Sequence, residues 1–320
     1  MLDNLLFSLN NVFPIFLVML VGGFSRKIGM LDDETVSRMN LIVFRIALPV
    51  SLFTSIISTE IKEAFDLRFV AFVVLGKIIS LVVVWMFSNI IIKDGFIVAS
   101  FVHGSFRGNY AIIGLPLLKA IFGDESSVSG KGSILAAFVV AVNNILSVII
   151  LTSGAKHKGE TGLKNVKKIC VNIFTNPLII ATTSAIVFSV LRLRLPVVLL
   201  RTAGYLSNLA SPLALLSIGA SLTLTNIREN SIYSAAATLI KLIFIPITAI
   251  LTAMPAGFRG NDLVILLMIF GVPTAVSAFP MATIMGGDSK LTATIIVQTS
   301  LFSIFTLTLG IFILKSLNLI

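Results

Sequence analysis

The chain has 320 residues, 57% of them hydrophobic and 12% charged, with a mean hydropathy of +1.05; a soluble domain keeps charge near one quarter because its surface faces water. That excludes a soluble enzyme, a DNA-binding module and a disordered tail, and predicts an integral membrane protein in which ten spans of about 20 residues use roughly 200 positions. The net charge of +10 does not single out nucleic acid, since the basic residues are spread through loops and spans; anionic lipid or an anionic solute is the expected partner. The lone cysteine, Cys170, closes no intramolecular disulfide and has no histidine cluster for a metal, so neither cofactor nor metal is expected. The start Met1-Leu2-Asp3-Asn4 lacks the positive leader of a secretory signal, and the apolar run after it reads as a retained first helix.

Apolar runs predict helices near 5–24, 35–58, 67–92, 95–122 and 132–153. After a basic stretch from Lys156 to Lys168, further helices are predicted near 173–191, 196–223, 232–254, 262–286 and 291–314. Pro14 and Pro177, Pro49 and Pro212, Lys77 and Lys241, Pro116 and Pro280, and Asp124 and Asp288 recur at one nearly constant offset. That register argues for duplication, and an odd number of helices per repeat inverts the halves. The expected organisation is therefore an all-α integral membrane protein of ten transmembrane helices: a first five-helix repeat over 1–153, a basic cytoplasmic linker over 154–172, and a second, inverted repeat over 173–320. Proline and glycine interruptions in corresponding spans, here helices four and nine, point to the binding site of a secondary transporter.

Arg26, Lys27, Lys93, Lys156, Lys158, Lys164, Lys167, Lys168, Arg228 and Lys290 fall on one side of the predicted topology, against fewer on the other. The bias places the central loop in the cytoplasm and both termini outside, most of the signal resting on that loop. A solvated loop touching anionic headgroups is the expected reading of the charge run, in preference to a regulatory site.

All 14 acidic residues fall in predicted loops or at span ends. By contrast Arg45, Lys77, Arg107, Arg201 and Lys241 lie inside predicted spans, where a charge is costly unless paired, snorkelling or lining a wet cavity. Their sign favours an anionic solute and weakens a carboxylate proton relay or a sodium site with an acidic ligand. Coupling through histidine or neutral oxygens stays open. Arg45, Lys77 and Lys241 have the alternative of reaching an interface or bonding carbonyls. His103, one turn before Arg107, reads either as a proton site or as a satisfied structural group.

The fourth span holds Gly108-Asn109-Tyr110 and then Gly114-Leu115-Pro116. A glycine beside an asparagine invites unwinding, which a membrane protein tolerates where the freed backbone lines a cavity and half-helix N-termini face an anion. Asn109 donates and accepts at that break; a packed Gly-Asn kink is the alternative. The ninth span carries Gly271-Val272-Pro273-Thr274 and Pro280, too many prolines for one continuous helix. Ser51 beside Pro49 is a weaker candidate for solute contact, since kinked scaffold helices need prolines too. Asn143 and Asn144 are buried amides for which interhelical bonding competes with a ligand role. No Ser/His/Asp constellation or phosphate loop appears, so an enzyme is not expected.

The run GNYAIIGLPLLKAIFGD from Gly108 to Asp124, the VPTA segment Val272 to Ala275 and the Asn176-Pro177 opening of the sixth span resemble the auxin efflux carrier family, over essentially the whole chain. The resemblance implies ten helices in two inverted repeats, with helices four and nine crossing at their breaks near the midplane. It also implies an elevator-like shift of helices three to five and eight to ten, and a homodimer built through a scaffold of helices one, two, six and seven. Asn109 matches the asparagine that contacts a carboxylated solute in plant members. Gly108 stands where those members have proline, Pro273 matches their second crossover proline, and Thr274 replaces a glutamine. The expected function is a cell-membrane carrier of small organic anions, mono- or dicarboxylates, bound by Asn109 and Pro273 with Thr274, Tyr110, Ser51 and Asn143 around them. The rivals are an anion channel, told apart by non-saturating flux, and a non-transporting receptor or scaffold, told apart by the absence of counterflow.

Overall fold

The computed structural model describes residues 2–57, 66–124, 126–154, 175, 177–193, 195–221 and 231–320. The central basic stretch, Asn176, Arg228 and Cys170 lie outside the described residues. The described chain is helical, and its one element of β pairing is a single isolated bridge.

The first half comprises α1 (Leu2–Lys27), α2 (Asp33–Ile42), α3 (Leu48–Ile57), α4 (Leu67–Ile91), α5 (Gly95–Phe106), α6 (Leu115–Phe122) and α7 (Ser127–Gly154). The second comprises α8 (Pro177–Val190), α9 (Val197–Ser221), α10 (Ser231–Leu239), α11 (Ile245–Ala253), α12 (Asn261–Gly271), α13 (Ala278–Met285) and α14 (Ser289–Ser316). Acidic residues cluster at span ends for a local reason. The carboxylates of Asp32, Asp66, Asp94 and Asp288 accept from the amides of Thr35, Phe69, Phe96 and Leu291, capping α2, α4, α5 and α14.

Among the described residues, three π-helical turns join segments that continue one another: Val43–Ala47 between α2 and α3, Tyr110–Gly114 before α6, and Ile240–Phe244 between α10 and α11. Each ends two residues before a proline, Pro49, Pro116 or Pro246. Proline has no amide to donate, and its ring crowds the carbonyl four residues earlier. The ladder shifts by one residue to relieve this: Leu48, Leu115 and Ile245 donate to the carbonyls of Val43, Tyr110 and Ile240, five positions back.

Among the described residues, five helical stretches are long and apolar enough to cross a membrane: Asp33–Thr54, Leu67–Ile91, Ser127–Ser153, Ile232–Ala253 and Ser289–Ser316. At about 1.5 Å per residue, the 25 residues of α4 outrun a hydrocarbon core of about 30 Å. Its outer face carries exposed Leu75, Ile79, Met86, Phe87 and Ile90, side chains suited to lipid and not to water. Gly95–Phe106, Tyr110–Phe122 and Asn261–Gly271 are apolar but shorter. Residues 98–106 and 263–271 are buried throughout, so the centre of the molecule is built from half-helices wrapped by full-length ones.

Two packing groups share this core. In the first, α1 packs on α9, α8 on α3, and α9 on both α2 and α3. The α1–α9 seam is set by glycine, because a Cβ on Gly219 would stand 1.8 Å from the Met19 carbonyl oxygen and one on Gly22 would stand 2.1 Å from that of Leu216. In the second, α5 packs between α4, α7 and α14, and α12 between α11 and α14.

Candidate functional site

The helix beginning at Gly95 stops at Phe106, and the one beginning at Asn261 stops at Gly271; Arg107 and Val272 are extended. The two breaks meet. Gly108 and Thr274 form the isolated antiparallel bridge, the Asn109 amide donates to the Pro273 carbonyl at 2.8 Å, and the Ala275 amide reaches the Arg107 carbonyl at 3.4 Å. Backbone groups freed by each break are thus satisfied by the other, as burial away from water requires.

Side chains close the rest of the crossing. Thr274 Oγ1 donates to the Gly104 carbonyl at 2.7 Å near the end of α5, and the Thr274 amide donates to Thr299 Oγ1 at 3.1 Å. Two buried lysines serve the end of α12. Lys241 Nζ donates to the Phe270 carbonyl at 2.7 Å, and Lys77 Nζ to that of Ile269 at 3.1 Å while lying 4.6 Å from the Phe270 ring centre. A helix C-terminus has unpaired carbonyls and a negative dipole end, which these donors complement. A Cβ at Gly108 would stand 3.2 Å from Lys241 Nζ and 3.3 Å from the Ile269 carbonyl oxygen, so the segments pass closely at this glycine.

On one side of the crossing a cavity of about 690 Å³ opens between the two packing groups. The second group supplies its polar wall: Arg107, Asn109, Tyr110, Asn143, Asn144 and Ser277. The first supplies Asn40, Val43, Phe44, Leu48 and Ile218. Arg107 is 7% exposed. Its Nη1 donates to Ser147 Oγ at 2.6 Å and the Asn143 carbonyl at 3.4 Å, and its Nη2 to Asn144 Oδ1 at 3.0 Å and Ser277 Oγ at 3.1 Å. Every one of these acceptors is neutral. Arg107 Nε, Asn109 Nδ2 and Asn143 Oδ1 are buried without a partner, two donors and an acceptor around one cavity. Orphaned polar atoms of this kind are costly unless a ligand or water completes them.

The sequence candidates fall in several places. Asn109, Tyr110, Asn143, Gly108 and Arg107 line the cavity, the Tyr110 hydroxyl bonding the Gly132 carbonyl at 3.0 Å. Pro273 and Thr274 form the crossing and are not among the lining residues. Ser51 on α3 lies apart from the cavity lining and accepts from Lys119 Nζ at 3.0 Å, the ammonium also lying 3.3 Å from Asp124. Pro116 follows the π turn of the fourth span, and Pro280 lies within α13. Arg45 is exposed on the first π turn. His103 is fully buried in α5 near Phe106, off the cavity, with neither ring nitrogen partnered. Ser147, Ser277 and Asn40 escaped the sequence reading. Ser147 follows Asn143 by one helical turn, and that spacing was the signal available for it. Among the described residues no group of three or more His, Cys, Asp and Glu is placed to hold a metal.

Half-helices crossing at paired breaks beside a polar cavity, inside a bundle of membrane-length helices, define a membrane transporter. Residues 7–311 match the family described as membrane transport protein, and the chain belongs to that family, the auxin efflux carriers its fourth-span motif resembles. It is 27% identical over 307 residues to an uncharacterized transporter of Methanocaldococcus jannaschii, covering 93% of this chain and 96% of that protein. It is 22% identical over 304 residues to one of Methanothermobacter thermautotrophicus, covering 94% and 97%. With the uncharacterized transporter YfdV of Escherichia coli K12 it shares 24% identity over 292 residues, covering 87% and 88%. These relatives carry the names of transporters, not of enzymes.

Proposed function

We propose that the protein is a secondary carrier of small organic anions, mono- or dicarboxylates, working by alternating access of elevator type. The observation that supports this best is the Arg107 guanidinium, buried in the cavity wall and bonded only to neutral oxygens. A guanidinium stays charged in any protein environment and matches carboxylate geometry. A bound carboxylate accepts from Arg107 Nε and Asn109 Nδ2, the unpaired donors, while Asn143 Oδ1 is left for a hydroxyl or N–H elsewhere on the solute. The amides opening the half-helix at Tyr110 add a positive dipole end. Mostly apolar walls from Val43, Phe44, Leu48 and Ile218 suit the carbon skeleton.

In this reading the second packing group carries the anion and moves against the first, and no covalent step occurs. The carrier sits in the cell membrane with both termini outside and the basic central loop in the cytoplasm, as a homodimer joined through the first group. The test is uptake of a labelled anion by purified protein in liposomes preloaded with the same unlabelled anion. Asn109→Ala is expected to lower transport at least about tenfold, an effect of one lost charge-assisted bond, with insertion and monodispersity retained. Unchanged uptake and affinity in that variant overturn the assignment.

A further inference from the structure

Arg107 is bound wholly to its own packing group. Asn143, Asn144 and Ser147 lie on α7, and Ser277 lies on the segment leading into α13. All of these move together with Arg107 if that group moves as a unit. The first group offers Asn40, Val43, Phe44, Leu48 and Ile218 to the cavity, and none is charged. The ion pairs found among the described residues join other side chains: Arg26 with Asp33, Arg38 with Glu34, Lys119 with Asp124, and Lys131 with Asp66 and Asp262. Lys77 and Lys241 differ from Arg107, because their Nζ groups rest on the carbonyl end of α12, which compensates them in place.

The guanidinium therefore has to pass an uncharged wall, and among the described residues no carboxylate lines the cavity or bonds Arg107 to accompany it; a bare charge in such surroundings is strongly disfavoured. A bound carboxylate supplies the missing charge. Building on the carrier function proposed above, we infer that the protein is an obligate anion exchanger: the second group crosses only with Arg107 paired to a bound anion, and the empty group does not return. Arg107 then acts twice, as ligand for the solute and as the charge that blocks the unloaded step. Net flux of one anion in one direction is suppressed, and an anion on the far side releases it.

The experiment uses the full-length protein in liposomes loaded with radiolabelled malonate or, in a parallel set, phenylacetate, with the membrane potential clamped by potassium and valinomycin. Efflux is followed into buffer with and without the same unlabelled anion. Exchange at least about tenfold faster than efflux into anion-free buffer is expected from a bare-charge barrier. Equal rates in the two buffers overturn obligate exchange and leave the carrier intact. Absence of efflux for both anions in both buffers overturns the organic-anion carrier itself, and exchange falls with it. Asn144→Asp supplies a second arm, since it places a carboxylate that travels beside Arg107. This variant is expected to raise anion-free efflux toward the exchange rate; exchange that persists with the wild-type ratio overturns the charge argument.

Discussion

The Asn109 amide donates to the Pro273 carbonyl at 2.8 Å, tying together two broken helices that lie in opposite halves of the chain. Because this bond uses the Asn109 backbone, the side-chain amide is left over: Asn109 lines the cavity, and its Nδ2 is buried without a partner. One residue thus holds the crossing and, in the function proposed, offers a donor to the solute. Separating those roles by substitution is feasible, since a side-chain change leaves the backbone bond in place.

Thr274 works the other way. Its Oγ1 donates to the Gly104 carbonyl at 2.7 Å and its amide is held by Thr299, so the hydroxyl serves the crossing. Thr274→Val is expected to strand a buried carbonyl and lower stability by about 1–3 kcal/mol, read as a fall in Tm in detergent. Thr274→Ser restores the donor and most of the Tm. If Val and Ser variants melt alike, the hydroxyl is not holding Gly104.

The end of α12, where broken-helix carriers commonly coordinate a coupling cation with free carbonyls, is occupied here by Lys77 and Lys241. Transport is expected to be unchanged when choline replaces sodium. Lys241→Met, which removes the donor to Phe270, is expected to cost about 1–3 kcal/mol. A transport rate that falls with sodium removal in the unaltered protein contradicts the role given to these lysines.

Glycines separate into those that fix a seam and those that do not. Gly219→Ala puts a methyl 1.8 Å from the Met19 carbonyl oxygen, a backbone atom that cannot swing aside, and α1 and α9 must part. Gly204, also on α9, has open space around its would-be Cβ. Size-exclusion profiles are expected to show Gly219→Ala aggregated or lost, with Gly204→Ala like the parent. Comparable behaviour of the two variants counts against the seam.

Outside the membrane, the Thr35 hydrogen bonds hold the Asp32 carboxyl below its ordinary value of 3.8. A folded-state value below the unfolded one means the cap contributes at neutral pH and its contribution fades as pH falls through the lowered value. Asp32→Ala is expected to lower Tm near neutrality, with the difference from the parent narrowing in acid. A gap independent of pH removes the cap as its cause.

The breaks were visible in the sequence because their cause is local. Gly108-Asn109 and Gly271-Val272-Pro273 are poor helix by composition, and the helices end at Phe106 and Gly271. Pro49 and Pro116 signalled distortion, although not that it would take the form of π turns; Pro246 produces the same turn without having been singled out. Arg107, too, stood out as a charge in an apolar span. What stayed hidden depends on contacts between distant segments. Nothing local tells a threonine to cap Gly104 instead of facing solute, or tells Lys77 and Lys241 to converge on one helix end, because both outcomes exist only once the two halves have packed. Asn143 and Asn144 were legible as polar side chains on one helix, and Arg107 explains why they stand together with Ser147.

The most direct test of the anion site is solid-supported-membrane electrophysiology on purified protein in liposomes, challenged with malate, malonate, pyruvate, indole acetate and bile-acid-like anions. The account requires a saturable current or a thermal stabilisation for at least one class of anion, both lost in Asn109→Ala. Silence across the panel, with no thermal shift from any of these anions, contradicts it.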